Sequence, residues 1–394
     1  MKKLLPCAIL ALCSSILPGL ATAQIEEIFS MDATGLQVTA DINGEYVYIP
    51  DQKNNALVIV NSSTLEVEQN IALPGTPQDV ALDEDAGLAF ITISSVSDIV
   101  VLDLASYEFQ ESIALPQPAN EIVVTDNNIF ATTFTSSSGI MRIDRNTNAY
   151  IESFSDGVFT YSKGALELSP DKNRLVFANR GISPGTLAVY DVSGGATPQL
   201  LLKNGHGDLG SNGQNSAIDP INGAFVSYAA GGGNGAGYTI AKLDMADFSW
   251  NGDFTTGAYP RAIHYSVDGY SAYTNNSANS VQIWDSNTFS LIDSFSVTGN
   301  PKDFVDLQGG ALIGVLGDTE FAIYQVKEFT PQPPAPKFEG AMTGAELSRV
   351  ICQNKTSGQR LVYYTGGTTF DCAAQGLTVN PGDKVKVVLH GNIH

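Results

Sequence analysis

Histidine, tryptophan, cysteine and positive charge are all scarce in this chain, and each shortage narrows what it can do. The four histidines, His206, His264, His390 and His394, are scattered, and no spacing among them supports a zinc or copper site. Trp250 and Trp284 are too few to suggest a stacked quinone cofactor. Calcium is the one cofactor that turns such as Asp83-Glu84-Asp85 could hold, although no EF-hand-like loop is present. Twenty Lys and Arg stand against 41 Asp and Glu, for a formal net charge of −21. That balance makes nucleic acid and anionic membranes poor partners and reads first as a solvated acidic surface. Beyond the N-terminus no apolar run is long enough to cross a bilayer.

The N-terminus is different. Met1–Ala23 carries Lys2 and Lys3, an apolar run, and Ala21-Thr22-Ala23 as a small-residue cleavage site, the pattern of a secretory signal. Pro18 and Gly19 interrupt the run, so it leaves no anchor in the mature chain. The protein is therefore expected to be exported, periplasmic or secreted, and monomeric. Losing the signal takes the net charge to −23 and removes Cys7 and Cys13. Only Cys352 and Cys372 remain, and two cysteines 20 apart in an oxidising compartment are expected to form a disulfide.

What the chain has in abundance is repetition. Tyr259–Asn300 contains four short β-rich segments, AIHYSVDG, SAYTNNSANS, VQIWDSNT and FSLIDSFSVTGN, each ending in turn chemistry. The third of these recurs as ALVIVN, DIVVLD, GIMRID, TLAVYD, TIAKLD, SVQIWD and EFAIYQ. The copies end at Asn61, Asp103, Asp144, Asp191, Asp244, Asp285 and Gln325, at spacings of 42, 41, 47, 53, 41 and 40. Seven copies of a four-strand unit predict an all-β fold, a seven-bladed propeller over 24–329. The last copy lacks a fourth strand, and Ile25–Met31, which reads like the fourth strand Phe109–Leu115, is expected to supply it and close the ring.

Segments such as AYTNN (Ala272–Asn276), third strands ending in hydrophobic-Asp, and the Gly-x-Pro steps at Gly75-Thr76-Pro77 and Gly299-Asn300-Pro301 resemble the YVTN-type propellers of bacterial surface and periplasmic proteins. The resemblance covers about Gln24–Phe329 and implies fold more than function. Related propellers host lactonase-type hydrolysis, which would make Asp79, Glu121 and Asp303 the acids at the channel mouth. Thr330–Pro336 is a Pro-rich linker. It leads to a small β domain over 337–394, with strands in RVICQN, RLVYYT and KVKVVLHG, which a disulfide would help hold together.

Two motifs mimic catalysis. Gly181-Ile182-Ser183-Pro184-Gly185 matches a nucleophile elbow, but its flanks read as two strands of one hairpin, where the chemistry needs a strand-to-helix turn. Gly231–Ala236 looks like a dinucleotide fingerprint, yet a strand follows it where a helix is required. A better candidate comes from the extra residues of the two long repeats, Arg180–Thr186, Lys203–Ser216 and Ala229–Gly237. In a propeller these connections share one face, and insertions on one face mark a binding surface. At the start of each first strand, near the channel mouth on that face, stand Gln78, Asn120, Lys163, Asn215, Arg261 and Lys302, with Arg180 nearby. Lys163, Arg180, Arg261, Lys302, Asn120 and Asn215 are the expected ligand-binding residues, for a protein or a small anionic ligand.

Overall fold

In the computed structural model the described residues are 24–135, 139–161, 163–204, 209–221, 223–327, 339–341, 345–364, 369–372, 375, 377 and 385–393. The segment expected to be an export signal, the Pro-rich stretch, His206 and His394 lie outside them. Apart from one 3-10 turn, Gln308–Gly310, the regular structure among the described residues is β-strand. The fold is a β-propeller. Seven four-stranded antiparallel sheets are described: 39–72, 77–114, 119–154, 165–203, 213–254, 263–296, and 303–327 with 24–32.

The hydrophobic pattern explains why the sheets need each other. Second and third strands are buried along almost their whole length, as in Tyr46–Asp51 and Ala56–Asn61, while fourth strands such as Glu66–Ala72 are largely exposed. Strands apolar on both faces must be covered on both faces. Each core cluster accordingly joins side chains of neighbouring sheets. Val47, Ile49, Val58 and Val60 of the first sheet pack with Val305, Leu312, Leu316, Phe321 and Ile323 of the last. Burying each such side chain contributes about 1.5–3 kcal/mol.

The first and last sheets thus meet, and the N-terminus closes the ring as expected. Gln24–Asp32 pairs antiparallel with Glu320–Lys327 from Gln24 opposite Lys327 to Asp32 opposite Glu320, and so becomes the outer strand of the last sheet. The first strands of all seven sheets contribute to one central cavity of about 500 Å3.

The repeated aspartate has a local reason. Asp103, Asp144 and Asp285 end their third strands, and each Oδ1 accepts the N–H groups two and three residues on. Asn61 does the same toward Ser63 and Thr64. These Asx turns bring the chain into a left-handed residue at Leu65, Tyr107, Asn148, Phe248 and Phe289, after which the fourth strand begins. A register shift recurs just before the turn, between Ile59 and Val60, Arg142 and Ile143, Val189 and Tyr190, Lys242 and Leu243, and Ile283 and Trp284. Such bulges add the local twist that outer strands need.

The C-terminal segment forms a three-stranded sheet with Ala345–Asn354 between Arg360–Tyr364 and Val385–Ile393, and a short ladder of Glu339–Ala341 with Thr369–Asp371. The expected disulfide joins the two: Cys352 lies in the central strand, Cys372 follows the ladder, and their Cα atoms are 5.9 Å apart.

Two stability predictions follow from these pairings. A chain starting at Gly35 lacks the last sheet's outer strand and should unfold at lower temperature, less cooperatively and with aggregation; an unchanged calorimetric transition would rule out closure by the N-terminus. Cys352→Ser should destabilise the C-terminal segment by roughly 3 kcal/mol in the chain-entropy model. The main propeller transition should not move, and mass spectrometry of the mature protein without the substitution should find no free thiol.

Candidate functional site

The central cavity and the face above it are built by polar side chains that also join neighbouring sheets. Asp79 accepts the N–H of Ile122, in the next sheet, at 2.9 Å. Glu121 accepts the N–H of Leu166, again one sheet on, at 2.7 Å. Asp303 accepts the N–H of Val38, at 3.0 Å, across the joint where the last sheet meets the first. Other joints use different groups. Asn275 donates to the carbonyl of Pro301, and Lys242 to the carbonyl of Ser286 while pairing with Asp219 at 2.8 Å. Tyr265 and Ser227 share a hydroxyl bond of 2.6 Å.

These bonds assign a role to the three carboxylates. Each one accepts a backbone N–H of an adjacent sheet; Asp79 and Asp303 line the cavity, and Glu121 is further held by the Gln37 amide at 2.6 Å and by an ion pair with Arg180. Burial raises the Asp79 carboxyl well above its ordinary range, with the Glu121 charge adding to it. Burial also lifts Asp303 to about 7, against the pull of the Val38 and Phe304 N–H groups. Glu121 is pushed up by burial and pulled back by Arg180. Glu167, on the same wall, is raised by burial and then by Glu121 and Asp303. His264 sits on a first strand and borders the cavity, its ring parallel to Tyr273 at 6.4 Å. Burial lowers it to about 4, which leaves it neutral at pH 7.

Above this acidic wall the charge reverses. A second cavity of about 440 Å3 is lined by Lys163, Arg180, Arg261 and Lys302, with Asn215, Gln214, Gly181, Tyr161 and Leu36. Five of the six expected ligand-binding residues therefore line one cavity, four of them from the repeat alignment and Arg180 beside them. Asn120 is not among the lining residues; it is buried, and its backbone carbonyl accepts the Thr92 hydroxyl. Gln78 is buried as well and turns its amide onto the carbonyls of Thr76 and Pro77.

Local structure sets each cation in place. Lys163 has a left-handed backbone, donates its N–H to Thr133, and holds its ammonium 4.2 Å from the centre of the Phe134 ring. The Asn275 carbonyl oxygen accepts the N–H groups of Arg261 and Ala262 while its amide holds Pro301, so one side chain positions the segments bearing Arg261 and Lys302. Arg180 is fully engaged: it pairs with Glu121 and donates to the Gln214 carbonyl and the Asn215 amide oxygen, both at 2.7 Å. It thereby ties the cationic cavity, which it lines, to Glu121. Among the described residues no carboxylate lies within ion-pair distance of Lys163, Arg261 or Lys302. Burial lowers the Lys302 ammonium, and the neighbouring Arg261 charge lowers it further.

The three insertions meet on this face. Gly181 donates its N–H to Gly213 and Gly185 to Gly210, while Ser211 donates to Gly233. Gly210 has φ +87°, and a Cβ there would sit 2.2 Å from the Gly233 carbonyl oxygen, so only glycine fits the crossing. Ser183 is the acceptor of the Asn212 N–H within this layer, and its loop is the expected hairpin between Arg174–Ala178 and Leu187–Asp191. Gly231–Ala236 likewise joins two strands, Phe225–Ala230 and Ile240–Asp244.

Comparison with known proteins adds the fold and nothing finer. No protein-family model and no curated protein sequence matches the chain. Among solved structures, hydrazine synthase of Kuenenia stuttgartiensis is similar, with a TM-score of 0.54 over 85% of this chain and 96% of that one, at 14% identity. Among the described residues no helix is long and apolar enough to cross a membrane.

The raised carboxylates predict how stability depends on pH. A carboxyl with a folded value of about 7 binds its proton in the native state where the unfolded chain has lost it, so stability falls as pH rises from about 4 to about 7. Asp79, Glu121, Glu167 and Asp306 act in the same direction, and His264 alone opposes them between about 4 and its ordinary value. The propeller should therefore melt at higher temperature at pH 5.5 than at pH 8. Asp303→Asn, which keeps an acceptor for Val38, should narrow that difference; an equal or wider gap in the variant would refute the assignment.

Proposed function

We propose that this chain is an exported seven-bladed propeller of the YVTN type that works as a binding module, holding an anionic group in its cationic mouth. The observation that carries this reading is convergence. Lys163, Arg261 and Lys302 come from three sheets and stand far apart in sequence, in a protein with about half as many basic as acidic residues, yet they line one cavity and, among the described residues, none has a carboxylate within ion-pair distance. Like charges held together raise the energy of the free protein; the Lys302 ammonium is lowered first by burial and then by the Arg261 charge, with Asp318 acting against both. An anion relieves that repulsion. A cavity of about 440 Å3 is within the range that takes small ligands.

Hydrolysis of the lactonase type is the weaker reading. It requires carboxylates free to act on a substrate, whereas Asp79, Glu121 and Asp303 are engaged by backbone N–H groups of adjacent sheets.

The test is isothermal titration of the mature protein with citrate and inorganic phosphate at two salt concentrations. At least one anion should bind, more weakly as salt rises. Replacing Lys163, Arg261 and Lys302 together with Gln should weaken binding by about tenfold or more and flatten the salt dependence, with thermal stability unchanged or raised. Equal affinity in the variant would sink the assignment.

A further inference from the structure

We infer that the ligand of the mouth is an anionic oligosaccharide, a short chain of sugar rings carrying carboxylate or sulfate groups, whose rings stack on two aromatic pairs at the rim. This rests on the anion-binding reading of the mouth. The observation beyond it is a pattern of aromatic side chains. Tyr161 stands two residues before Lys163, and Tyr259 two residues before Arg261, at the approaches to the fourth and sixth sheets. Each is paired with a second ring. Phe159 and Tyr161 lie 6.4 Å apart and 23° from parallel; Tyr238 and Tyr259 lie 6.0 Å apart and 32° from parallel.

All four rings are open to solvent, Phe159 at 56%, Tyr161 at 44%, Tyr238 at 44% and Tyr259 at 47%. Single exposed aromatics are ordinary, but grouped ones on a face that already carries a cavity mark a contact surface. Tyr259, like Lys163, has a left-handed backbone. Neither belongs to the recurring third-to-fourth strand turns where such residues serve the repeat, so these positions are held for something local.

The chemistry of the lining selects the ligand class. A protein partner anchors through side chains that fill desolvated apolar pockets. Here Leu36 is the one aliphatic residue in the lining, and the rest is cationic, amide, glycine or tyrosine. The aromatic rings are flat platforms: Tyr161 is itself in the lining, and Tyr259 is two residues from Arg261, which is. A sugar ring suits such a platform, because its C–H face can lie on the ring while its hydroxyls stay in water, and Tyr offers both an apolar face and a polar tip. Carboxylates or sulfates on the same sugar would reach Lys163 and Arg261, which stand beside the two platforms. Nucleic-acid bases would stack too, with phosphates on the cations. The expected export of this chain keeps it from that polymer, and a net charge of −21, which opposes any extended polyanion, favours a short anionic chain over a long one.

The experiment is titration of the mature protein with trigalacturonate, a sulfated trisaccharide, maltotriose, citrate, hexaglutamate and a short oligothymidylate. Trigalacturonate or the sulfated trisaccharide should bind at least about tenfold more tightly than citrate and maltotriose, and more tightly than the peptide and the oligonucleotide. Tyr161→Ala with Tyr259→Ala should weaken saccharide binding roughly tenfold while leaving citrate binding intact, and Phe at both positions should restore most of it. Hexaglutamate or oligothymidylate binding as tightly as the saccharides would overturn the inference, as would an unchanged saccharide affinity in the Ala variant. Citrate binding that responds to the Lys163, Arg261 and Lys302 substitutions, without any gain for the saccharides, would overturn this inference and leave the mouth as an anion site. Citrate binding indifferent to those substitutions would overturn the mouth itself.

Discussion

The middle strands of every sheet are apolar on both faces, and no sheet can satisfy that alone. Everything else in the propeller follows from the need to cover those faces on both sides. A row of such sheets ends with two bare surfaces unless it closes, and closure here joins Val47, Ile49, Val58 and Val60 to Val305, Leu316 and Phe321. The apolar interfaces are non-directional, so they bring sheets together without fixing their angle or height. Direction comes from polar groups at the inner edge. Asp79, Glu121 and Asp303 each reach one sheet onward to a specific N–H, and that register places the first strands around a common cavity.

Those staples have an electrostatic consequence. Buried carboxylates crowd the cavity wall, and burial raises them because an ion loses more solvation there than its hydrogen bonds return. Arg180 is the point where this acidic interior ends, since it pairs with Glu121 below and lines the cationic mouth above. Removing one partner of such a pair would leave a buried charge unmatched, a larger penalty than the pair's own contribution. The mouth is therefore tied to the structural network, with Asn215 lining both cavities and Arg180 lining the mouth while it pairs with Glu121.

Each fold-level expectation from the repeats rests on a residue whose neighbours in sequence explain it. The terminal Asp of the third strands was readable because an Asx turn is a local event within four residues. The role of the N-terminal strand was readable because the last repeat is one strand short. The alignment also found Lys163, Asn215, Arg261 and Lys302, since repetition turns equivalent positions into neighbours around an axis. It placed Asn120 beside them, where the structure has it buried. It could not see that Asp79, Glu121 and Asp303 serve as staples, because their partners Ile122, Leu166 and Val38 are 43, 45 and 265 residues away. The paired tyrosines were missed for a similar reason: a ring two residues from a lysine means nothing until a second stacked pair appears two residues from another cation of the same cavity.

By itself the sequence determined the period of the array, the chemistry of its turns, the strand that closes it and the pairing of Cys352 with Cys372, all properties set by short segments or by simple counting. Tertiary structure alone decided which charged residues are ligands and which are joints. A carboxylate and an ammonium look equally free in a sequence. Only the neighbouring sheet shows whether a backbone N–H meets the carboxylate, as at Asp303, or whether the cation is left facing an open cavity, as at Lys302.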